Sequence, residues 1–555
     1  MTSWRRATAL VVVSILAGCS RPQQPESRAT ERWVVLRFEN LTSDPNLDGM
    51  GRTATELIGW QLAASPASYV FSSGHPSRTA YLSAFGGGAV TALHDTSFIH
   101  GYISRSGDRL RLEVWVEKGD GRVHRTARSQ GKLAEGVIPL AGGVSEQLFG
   151  RVLPDRSPEL NRARQAIDAA ERKGDTRGRI QGLQTLAKLT PGDPRVFRAL
   201  GQTAVGARRY TEAAGYFRQS VTLEPEDGPT WNSLGYALAY AGDVDAATDS
   251  LRRYERISPA DPNPLDSLGD AHYLNARFSE AEKFYLQATA KAGSGPAQSV
   301  ALQKAAYARL LTGDRGQADA LHERYVESLG AGGGPLGEHV RAEWEYLTGH
   351  REQAVDRLES WVSGPPKEWF PLAHAQIAIW KLDLGNRAAA RRHAEQARDA
   401  ASNTASAPTR IMVLLALFIT QPEASASEWA LRAEGQFEAP GLAALKSLAL
   451  AYALTFAGEY AAAAPHWKSL HEHAAPTAPG DSAVLLAWTL LESKRGGDAA
   501  ALLKLFPLPQ PGPTPFAALT FPRVLLLRGL SLKQQGRDAE AERSLRLFRD
   551  LTGNS

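Results

Sequence analysis

The sequence predicts a mainly α-helical protein in which a long solenoid of helix pairs follows a small α+β domain. A pattern of large and small residues recurs every 34 positions between residues 194 and 293, as in proteins built from repeated helix pairs. Before residue 152, several short segments alternate between apolar and polar residues as strands do. The length of 555 residues is too great for one hydrophobic core unless a solenoid accounts for much of it.

Three consecutive units define the repeat, because columns of residues stay 34 positions apart in all of them (231 − 197 and 265 − 231). The columns are Phe197, Trp231 and Leu265; Leu200, Leu234 and Leu268; Gly201, Gly235 and Gly269; Ala213, Ala247 and Ala281; and Phe217, Leu251 and Tyr285. Pro225 and Pro259 close two units, and Gly293 holds that place in the third. The pattern resembles the tetratricopeptide repeat (TPR), whose unit is two short antiparallel helices.

The glycine and alanine columns have a mechanical reason. Two helices approach closely only where side chains are absent or short, so we expect Gly201, Gly235 and Gly269 to face the second helix of their own unit. The alanine column would meet them from that second helix. An Ala-rich helical bundle without repeats is the alternative, but it does not explain columns that stay in register.

The first 18 residues have the features of a secretory signal peptide. Arg5 and Arg6 precede an apolar run over residues 7–15, which is too short to span a bilayer. Leu-Ala-Gly then leads to Cys19, the single cysteine, so no intramolecular disulfide can form. This tetrapeptide resembles the lipobox of bacterial lipoproteins. The resemblance implies cleavage before Cys19 and a lipid anchor on its thiol; an ordinary signal peptide with a chance cysteine is the alternative.

The residues after the cysteine suggest a location. In Gram-negative lipoproteins an Asp after the cysteine resembles an inner-membrane retention signal, but Ser20 stands here. We therefore expect a lipid-anchored protein of the outer membrane that faces the periplasm. Residues 19–31 are polar and contain proline, which predicts a flexible tether.

Residues 32–152 are predicted to form the α+β domain. Strands are expected at residues 33–38, 69–71, 98–104, 109–117 and 123–130, and helices at 49–64, 79–85 and 133–151. Two turn sequences, Ser-Gly-Asp at 106–108 and Gly-Asp-Gly at 119–121, separate the last three strands and indicate hairpins.

This region is similar to the TolB amino-terminal-like domain. The resemblance is carried by residues 38–48 (FENLTSDPNLD), the helix after them and the hairpin at 101–113 (GYISRSGDRLRLE). In that family the domain is not catalytic and often precedes TPR arrays in envelope proteins or in the sensory halves of kinases, cyclases and transcription regulators. The sequence shows no kinase glycine-rich loop, no cyclase pattern and no basic DNA-reading helix.

Residues 157–555 are predicted to be a TPR-like solenoid, with the best-formed repeats at 194–293. Residues 160–191 read as a degenerate first unit, as expected at the end of an array. After residue 293 the period loosens, but helix pairs continue over 301–329, 338–362, 372–401, 442–473, 483–505 and 521–551. Prolines at 507–515 predict an extended, semi-rigid insert.

Sites for catalysis or metal binding are scarce, so we expect no enzyme and no cofactor. His466, His471 and His473 lack the neighbouring ligands that a metal site needs and are better explained as a solvated helix end. Residues 86–88 are three glycines without the Lys-Ser/Thr of a phosphate-binding loop. The net charge of +4, which falls to +2 without Arg5 and Arg6, gives no case for nucleic-acid binding.

A TPR array offers a groove instead. The resemblance implies that the first helix of each unit lines the concave face and that positions five and nine of the unit point into it. In the three best units these positions are Arg198 and Gln202, Asn232 and Tyr236, and Asp266 and Asp270. They change from basic through neutral to acidic, and we expect the two aspartates to be solvated and to attract a basic segment.

The sequence therefore favours an envelope lipoprotein that acts as a protein-interaction scaffold. Its partners would be other envelope proteins, which bind through a peptide or helix in the groove, and the membrane, through the lipid on Cys19. The alternative is a sensory or regulatory ligand-binding module related to the TolB-like and TPR halves of signalling proteins.

Overall fold

A computed structural model describes residues 31–42, 44, 47–63, 68–72, 96–149, 157–330, 334–363, 368–401, 406–437, 443–473, 481–493, 495, 499, 502, 505–509 and 516–552. The predicted signal peptide, Cys19 and nearly all of the predicted tether therefore lie outside the described residues. So do the predicted helix at 79–85 and the glycines at 86–88. The chain divides into two compact units, one comprising residues 1–161 with 187–194 and 222–224, and the other the remaining residues.

The first unit contains a mixed sheet. Its elements are β1 (Glu31–Val35), β2 (Glu39–Asn40), α1 (Asp48–Ala63), β3 (Ser68–Ser72), β4 (Thr96–Ser106), β5 (Arg109–Lys118), β6 (Val123–Lys132) and α2 (Ile138–Phe149). The strand order is β3-β1-β4-β5-β6, with β2 beside β4. Strands β1 and β3 run parallel, as do β1 and β4, whereas β4, β5 and β6 form an antiparallel meander.

Alternation along the strands places the core of this unit on the face that α1 and α2 cover. The side chains of Leu110, Leu112, Val114 and Val116 in β5 are buried with residues of both helices. The predicted closing helix begins later than expected. Leu133–Glu135 forms one 3-10 turn, and Gly136, at φ 70°, reverses the chain before α2 starts at Ile138.

The second unit consists of helix pairs and is a TPR-type α-solenoid. Its helices, together with α3 at the boundary, are α3 (Ser157–Arg172), α4 (Thr176–Leu189), α5 (Pro194–Gly206), α6 (Tyr210–Leu223), α7 (Gly228–Ala241), α8 (Val244–Ile257), α9 (Asn263–Leu274), α10 (Phe278–Ala292), α11 (Pro296–Thr312), α12 (Arg315–Ser328), α13 (Gly334–Leu347), α14 (Arg351–Trp361), α15 (Phe370–Asp383), α16 (Arg387–Ala400), α17 (Ala407–Ile419), α18 (Ala426–Gln436), α19 (Ala443–Phe456), α20 (Tyr460–His473), α21 (Asp481–Glu492), α22 (Ala517–Gln534) and α23 (Asp538–Thr552).

The glycine column forms the helix contacts that its spacing predicts. A Cβ atom on Gly235 would lie 2.5 Å from Cγ of Leu251 in the paired helix, and one on Gly269 would lie 2.4 Å from the ring of Tyr285. Ala247 and Ala281 are fully buried in those second helices. The same contact recurs in the last pair, where a Cβ on Gly529 would lie 2.6 Å from Leu545. The repeat register is therefore confirmed.

The segment at 505–509 joins distant parts of the solenoid. Phe506 is buried, its amide donates a 2.8 Å hydrogen bond to the carbonyl of Leu274 at the end of α9, and its ring lies edge-on to Phe278 at a centroid distance of 4.9 Å. Nearby, Phe521 of α22 contacts Tyr307 of α11 at 5.2 Å. Residues 505–509, of which 507–509 belong to the predicted extended insert, thus bring the last helices against α9, α10 and α11.

Membrane-spanning helices are not found among the described residues, since none of their helices is both long and apolar enough to cross a bilayer.

Candidate peptide-binding groove

The first helices of three successive units, α5, α7 and α9, carry the predicted groove residues, and α11 is the first helix of the next unit. We call the side chains at positions five and nine of these four repeat units the groove row. The row is continuous, because side chains of α7 bond to α9 and side chains of α11 bond to α9.

The two groove residues of α5 differ in availability. Gln202 is exposed to solvent. Arg198 is half-buried and forms a 3.0 Å ion pair with Asp227, a buried carboxylate that also accepts the Thr230 amide at the start of α7. Arg198 therefore fixes the junction between two units as well as contributing positive charge.

The groove residues of α7 have different roles. The Tyr236 hydroxyl donates a 2.7 Å hydrogen bond to Oδ2 of Asp270 in the next unit. Asn232 is half-buried, and its Oδ1 is shielded from solvent without a hydrogen-bond donor among the described residues. A buried acceptor without a donor costs free energy, on the order of 1–3 kcal/mol, and a ligand that donated to this oxygen after the side chain turned outward would relieve that cost.

The groove residues of α9 form a buried ionic cluster with Lys304 of α11. Nζ of Lys304 lies 2.7 Å from Oδ2 of Asp266 and 2.9 Å from Oδ1 of Asp270. The Tyr285 hydroxyl donates a further 2.8 Å bond to Asp270. Asp270 is 3% exposed and Lys304 is 8% exposed. One ammonium therefore bridges two carboxylates that would otherwise repel each other.

The pKa values in the cluster have opposing causes. Burial, together with the charge of Asp270, raises the pKa of Asp266 to about 6, although the adjacent Lys304 lowers it. Burial by itself would lower the pKa of Lys304, but the charges of Asp270 and Asp266 outweigh it and raise this pKa above its usual range. Lys304 thus stays charged, while Asp266 gains a proton in mildly acidic solution.

The expectation of a solvated acidic pair is wrong. Asp270 is buried, and Lys304 supplies internally the positive charge that was expected from a partner. Sequence reasoning missed this lysine although its position was readable, since Lys304 stands 34 residues after Asp270 (304 − 270) in the same repeat column. The Leu-Gly pair that marks the three predicted units is absent from the unit of Lys304, where Leu302 is followed by Gln303.

Asp266 nevertheless keeps one acceptor for a ligand. Its Oδ2 binds Lys304, whereas its Oδ1 is buried without a hydrogen-bond donor among the described residues. Asn232 and Asp266 occupy the same repeat position in adjacent units (266 − 232 = 34). The groove row therefore contains two successive oxygen acceptors without donors among the described residues, both shielded from solvent, so a ligand could bond to them only after these side chains turn outward.

The other predicted features have simpler explanations. Trp344 and Trp380 are buried in the core. Nδ1 of His473 donates a 2.7 Å hydrogen bond to the Ser469 carbonyl within the same helix. Within the described part of the chain, no group of three or more His, Cys, Asp or Glu side chains is arranged to hold a metal ion.

Comparisons with curated proteins give short matches. No protein-family model matches the chain. Over 87 residues it is 34% identical to the PsbB mRNA maturation factor Mbb1 of Chlamydomonas reinhardtii, which is 16% of this chain and 13% of that protein. Over 98 residues it is 29% identical to the general transcriptional corepressor trfA of Dictyostelium discoideum, or 17% of this chain and 7% of that one. The chain thus spans a small part of these relatives.

Among solved structures, MamA is 19% identical, with a TM-score of 0.27, and the match covers 31% of this chain and 91% of that one. A tetratricopeptide repeat protein from Parabacteroides merdae is 12% identical, with a TM-score of 0.30, over 46% of this chain and 98% of that one. Likenesses of this extent say nothing about function. The TPR-type architecture rests on the helix pairs and the glycine contacts of the chain itself.

Proposed function

We propose that this chain is a non-catalytic protein-interaction scaffold of the bacterial cell envelope, which binds a segment of a partner protein along the groove row. The observation that carries the proposal is the pair of unfilled oxygen acceptors on Asn232 and Asp266. An extended peptide presents amide N–H donors at regular intervals, and arginine or lysine adds charged donors, so such a segment would satisfy both oxygens.

Charge favours a basic segment over an acidic one. In the α9 cluster two carboxylates share one ammonium, which leaves an excess negative charge when Asp266 is ionised. Arg198, the nearest cation of α5 in the row, is already held by Asp227 at 3.0 Å. A partner that brings an arginine or lysine toward Asp266 would therefore gain Coulomb attraction as well as a hydrogen bond.

Anchoring is the second part of the proposal. The lipobox resemblance at Cys19 supports attachment to a membrane, and Ser20 after it supports the outer membrane. A tether of about a dozen polar residues would then hold the TolB-like domain and the solenoid near the periplasmic surface. Partners would accordingly be other envelope proteins.

Site-specific photo-crosslinking in the intact chain tests the groove. A photoreactive residue at the exposed Gln202 should yield adducts with a discrete partner, whereas one at the exposed Asp249 of α8, a second helix, should not. Asn232→Leu, which removes one acceptor, should reduce the Gln202 adduct at least severalfold while circular dichroism stays unchanged. Equal adducts from both positions, or a yield that Asn232→Leu leaves unchanged, would place the binding surface elsewhere.

A further inference from the structure

A second site lies within the helical unit, away from the groove row. An open cavity of about 640 Å³ is lined by the turn between α9 and α10, the end of α11, and the last two helices, α22 and α23. Its apolar lining includes Phe278, Leu311, Phe506, Leu525 and Leu547. This volume falls within the range of roughly 300–1,000 Å³ that is typical of small-molecule sites.

The most informative side chain of this cavity is Arg528 of α22. It is half-buried, and its guanidinium carbon lies 5.1 Å above the ring of Phe506. The guanidinium forms no ion pair or hydrogen bond with any residue that the structure describes. Burial and the charge of Arg537 lower the pKa of Arg528, and the opposing charge of Glu540 does not outweigh them. Such a desolvated cation would be stabilised by an anion placed in the cavity.

Two more arginines line the same cavity, Arg543 and Arg546 of α23, and within the described residues neither is recorded in an ion pair. Two of the other charges are already satisfied. Glu540 binds Arg537 through both carboxylate oxygens, at 2.8 and 2.7 Å, and Arg277 binds Asp245 at 3.0 Å.

The remaining acids do not balance the arginines. Glu280 and Asp550 are both exposed, so water screens their charge more than that of Arg528. Three arginines without partners among the described residues thus face two solvated carboxylates, and the local balance stays positive.

In a second cavity of the chain, the lining arginines form ion pairs with glutamates of the same fold. Near α12, α13 and α14, a cavity of about 430 Å³ is lined by Arg341 and Arg357. Arg341 binds Glu323 at 2.6 Å, and Arg357 binds Glu345 at 2.7 Å. Those guanidinium groups are neutralised within the fold. The half-buried charge of Arg528 has no such partner among the described residues, which sets its cavity apart from this one.

We propose that this cavity binds a small organic anion, with an oxyanion group on Arg528 and Arg543 and an apolar or aromatic body on the Phe506 side. Arginine suits this role because its planar guanidinium donates two parallel hydrogen bonds to a carboxylate or phosphate. The aromatic and aliphatic lining would take up the body of the ligand by excluding water from both surfaces. The cation–π contact of Arg528 with the Phe506 ring holds the guanidinium in place before a ligand binds.

Calorimetric titration of the full chain tests the site with three matched probes. Naphthalene-1-acetate carries a carboxylate, 1-naphthyl phosphate carries a phosphate, and 1-naphthalenemethanol has the same body without charge. We expect at least one anion to bind at least tenfold more tightly than the alcohol, and the stronger anion identifies the preferred headgroup. Equal affinity for all three, or no binding of either anion at millimolar concentration, would overturn the proposal.

Variants locate the binding. Arg528→Gln should weaken the preferred anion at least tenfold and leave the alcohol unaffected, and Arg528→Lys should weaken it less. Arg543→Gln, on the exposed rim of the cavity, should weaken anion binding severalfold. If Arg528→Gln fails to fold, the anion affinity of Arg543→Gln tests the site in its place. Arg549→Gln is the control, since Arg549 lies on the same helix but pairs with Glu542 at 2.8 Å and does not line the cavity. Unchanged affinity in a folded Arg528→Gln or in Arg543→Gln would refute the site.

Discussion

Replacing Lys304 by methionine should open the third and fourth units of the solenoid locally. The change keeps most of the apolar stem but removes the ammonium that lies within 3.1 Å of three carboxylate oxygens. Removing one partner of a buried ion pair costs about 3–5 kcal/mol. The side chain of Asp266 is 21% exposed, so part of its charge is solvated and we expect the lower end, about 3 kcal/mol at pH 7.5.

Hydrogen exchange measured by mass spectrometry is the appropriate assay, because it reports the local free energy of opening in a chain whose units need not unfold together. A loss of about 3 kcal/mol corresponds to roughly hundredfold faster exchange in peptides from α9 and α11. Lys283→Met provides the control, since Lys283 is exposed on α10. Adding Asp266→Asn and Asp270→Asn to Lys304→Met should restore most of the protection.

The loss of local stability in Lys304→Met should become smaller as the pH falls, because Asp266 takes up a proton. Its pKa is about 6 in the folded chain against 3.8 for an ordinary aspartate, so the folded state holds the extra proton and the stability from this group falls as the pH rises between these values. Lys304 lowers the pKa of Asp266, so removing Lys304 raises this pKa further. The fall in stability with rising pH then extends closer to neutral pH. Exchange in Lys304→Met should approach that of the parent at pH 4.5. An unchanged rate at pH 7.5, or a deficit equal at both pH values, would refute the buried cluster.

Three further changes test the fold and the anchor. Gly235→Ala should destabilise the second repeat by about 1–3 kcal/mol, because the new Cβ would lie 2.5 Å from Leu251. Gly215→Ala, whose Cβ would meet nothing within 4 Å, should instead stabilise the protein by up to about 1 kcal/mol. Equal shifts of the two variants in thermal melting would contradict the Gly235 contact. Cys19→Ser should leave soluble protein or uncleaved precursor, and membrane fractions that still hold the processed form would disprove the lipid anchor. Phe506→Ala should cost about 3–5 kcal/mol and speed exchange in α9 and α10; unaltered exchange there would mean that the ring contributes little.

Much of the solenoid could be predicted because its contacts repeat. Gly201, Gly235 and Gly269 meet Phe217, Leu251 and Tyr285 in the same way in each unit, so three copies of one local pattern identified one geometry. The same contact recurs at Gly529, in a helix pair that lies far from the others in sequence.

The candidate site was predicted less completely, because its chemistry depends on which side chains meet across units. The positions of Asp266 and Asp270 followed from the repeat, but their ionic state depends on Lys304, in a unit whose signature residues have changed. Likewise, the Phe506 contact joins segments with no shared periodicity, and a proline-rich stretch predicts only an extended backbone.

The contact of Phe506 with the end of α9 also has a kinetic consequence. An open solenoid has only neighbour-to-neighbour contacts, so its units can fold in any order and as soon as they leave the ribosome. Here Phe506 binds Leu274, 232 residues earlier (506 − 274), and Arg208 donates to the His471 carbonyl across 263 positions. Closing such long loops is slow relative to local pairing. The middle units should therefore mature only after nearly the whole chain has been synthesised, and chains truncated before residue 505 should leave the α9–α10 turn exposed to proteolysis.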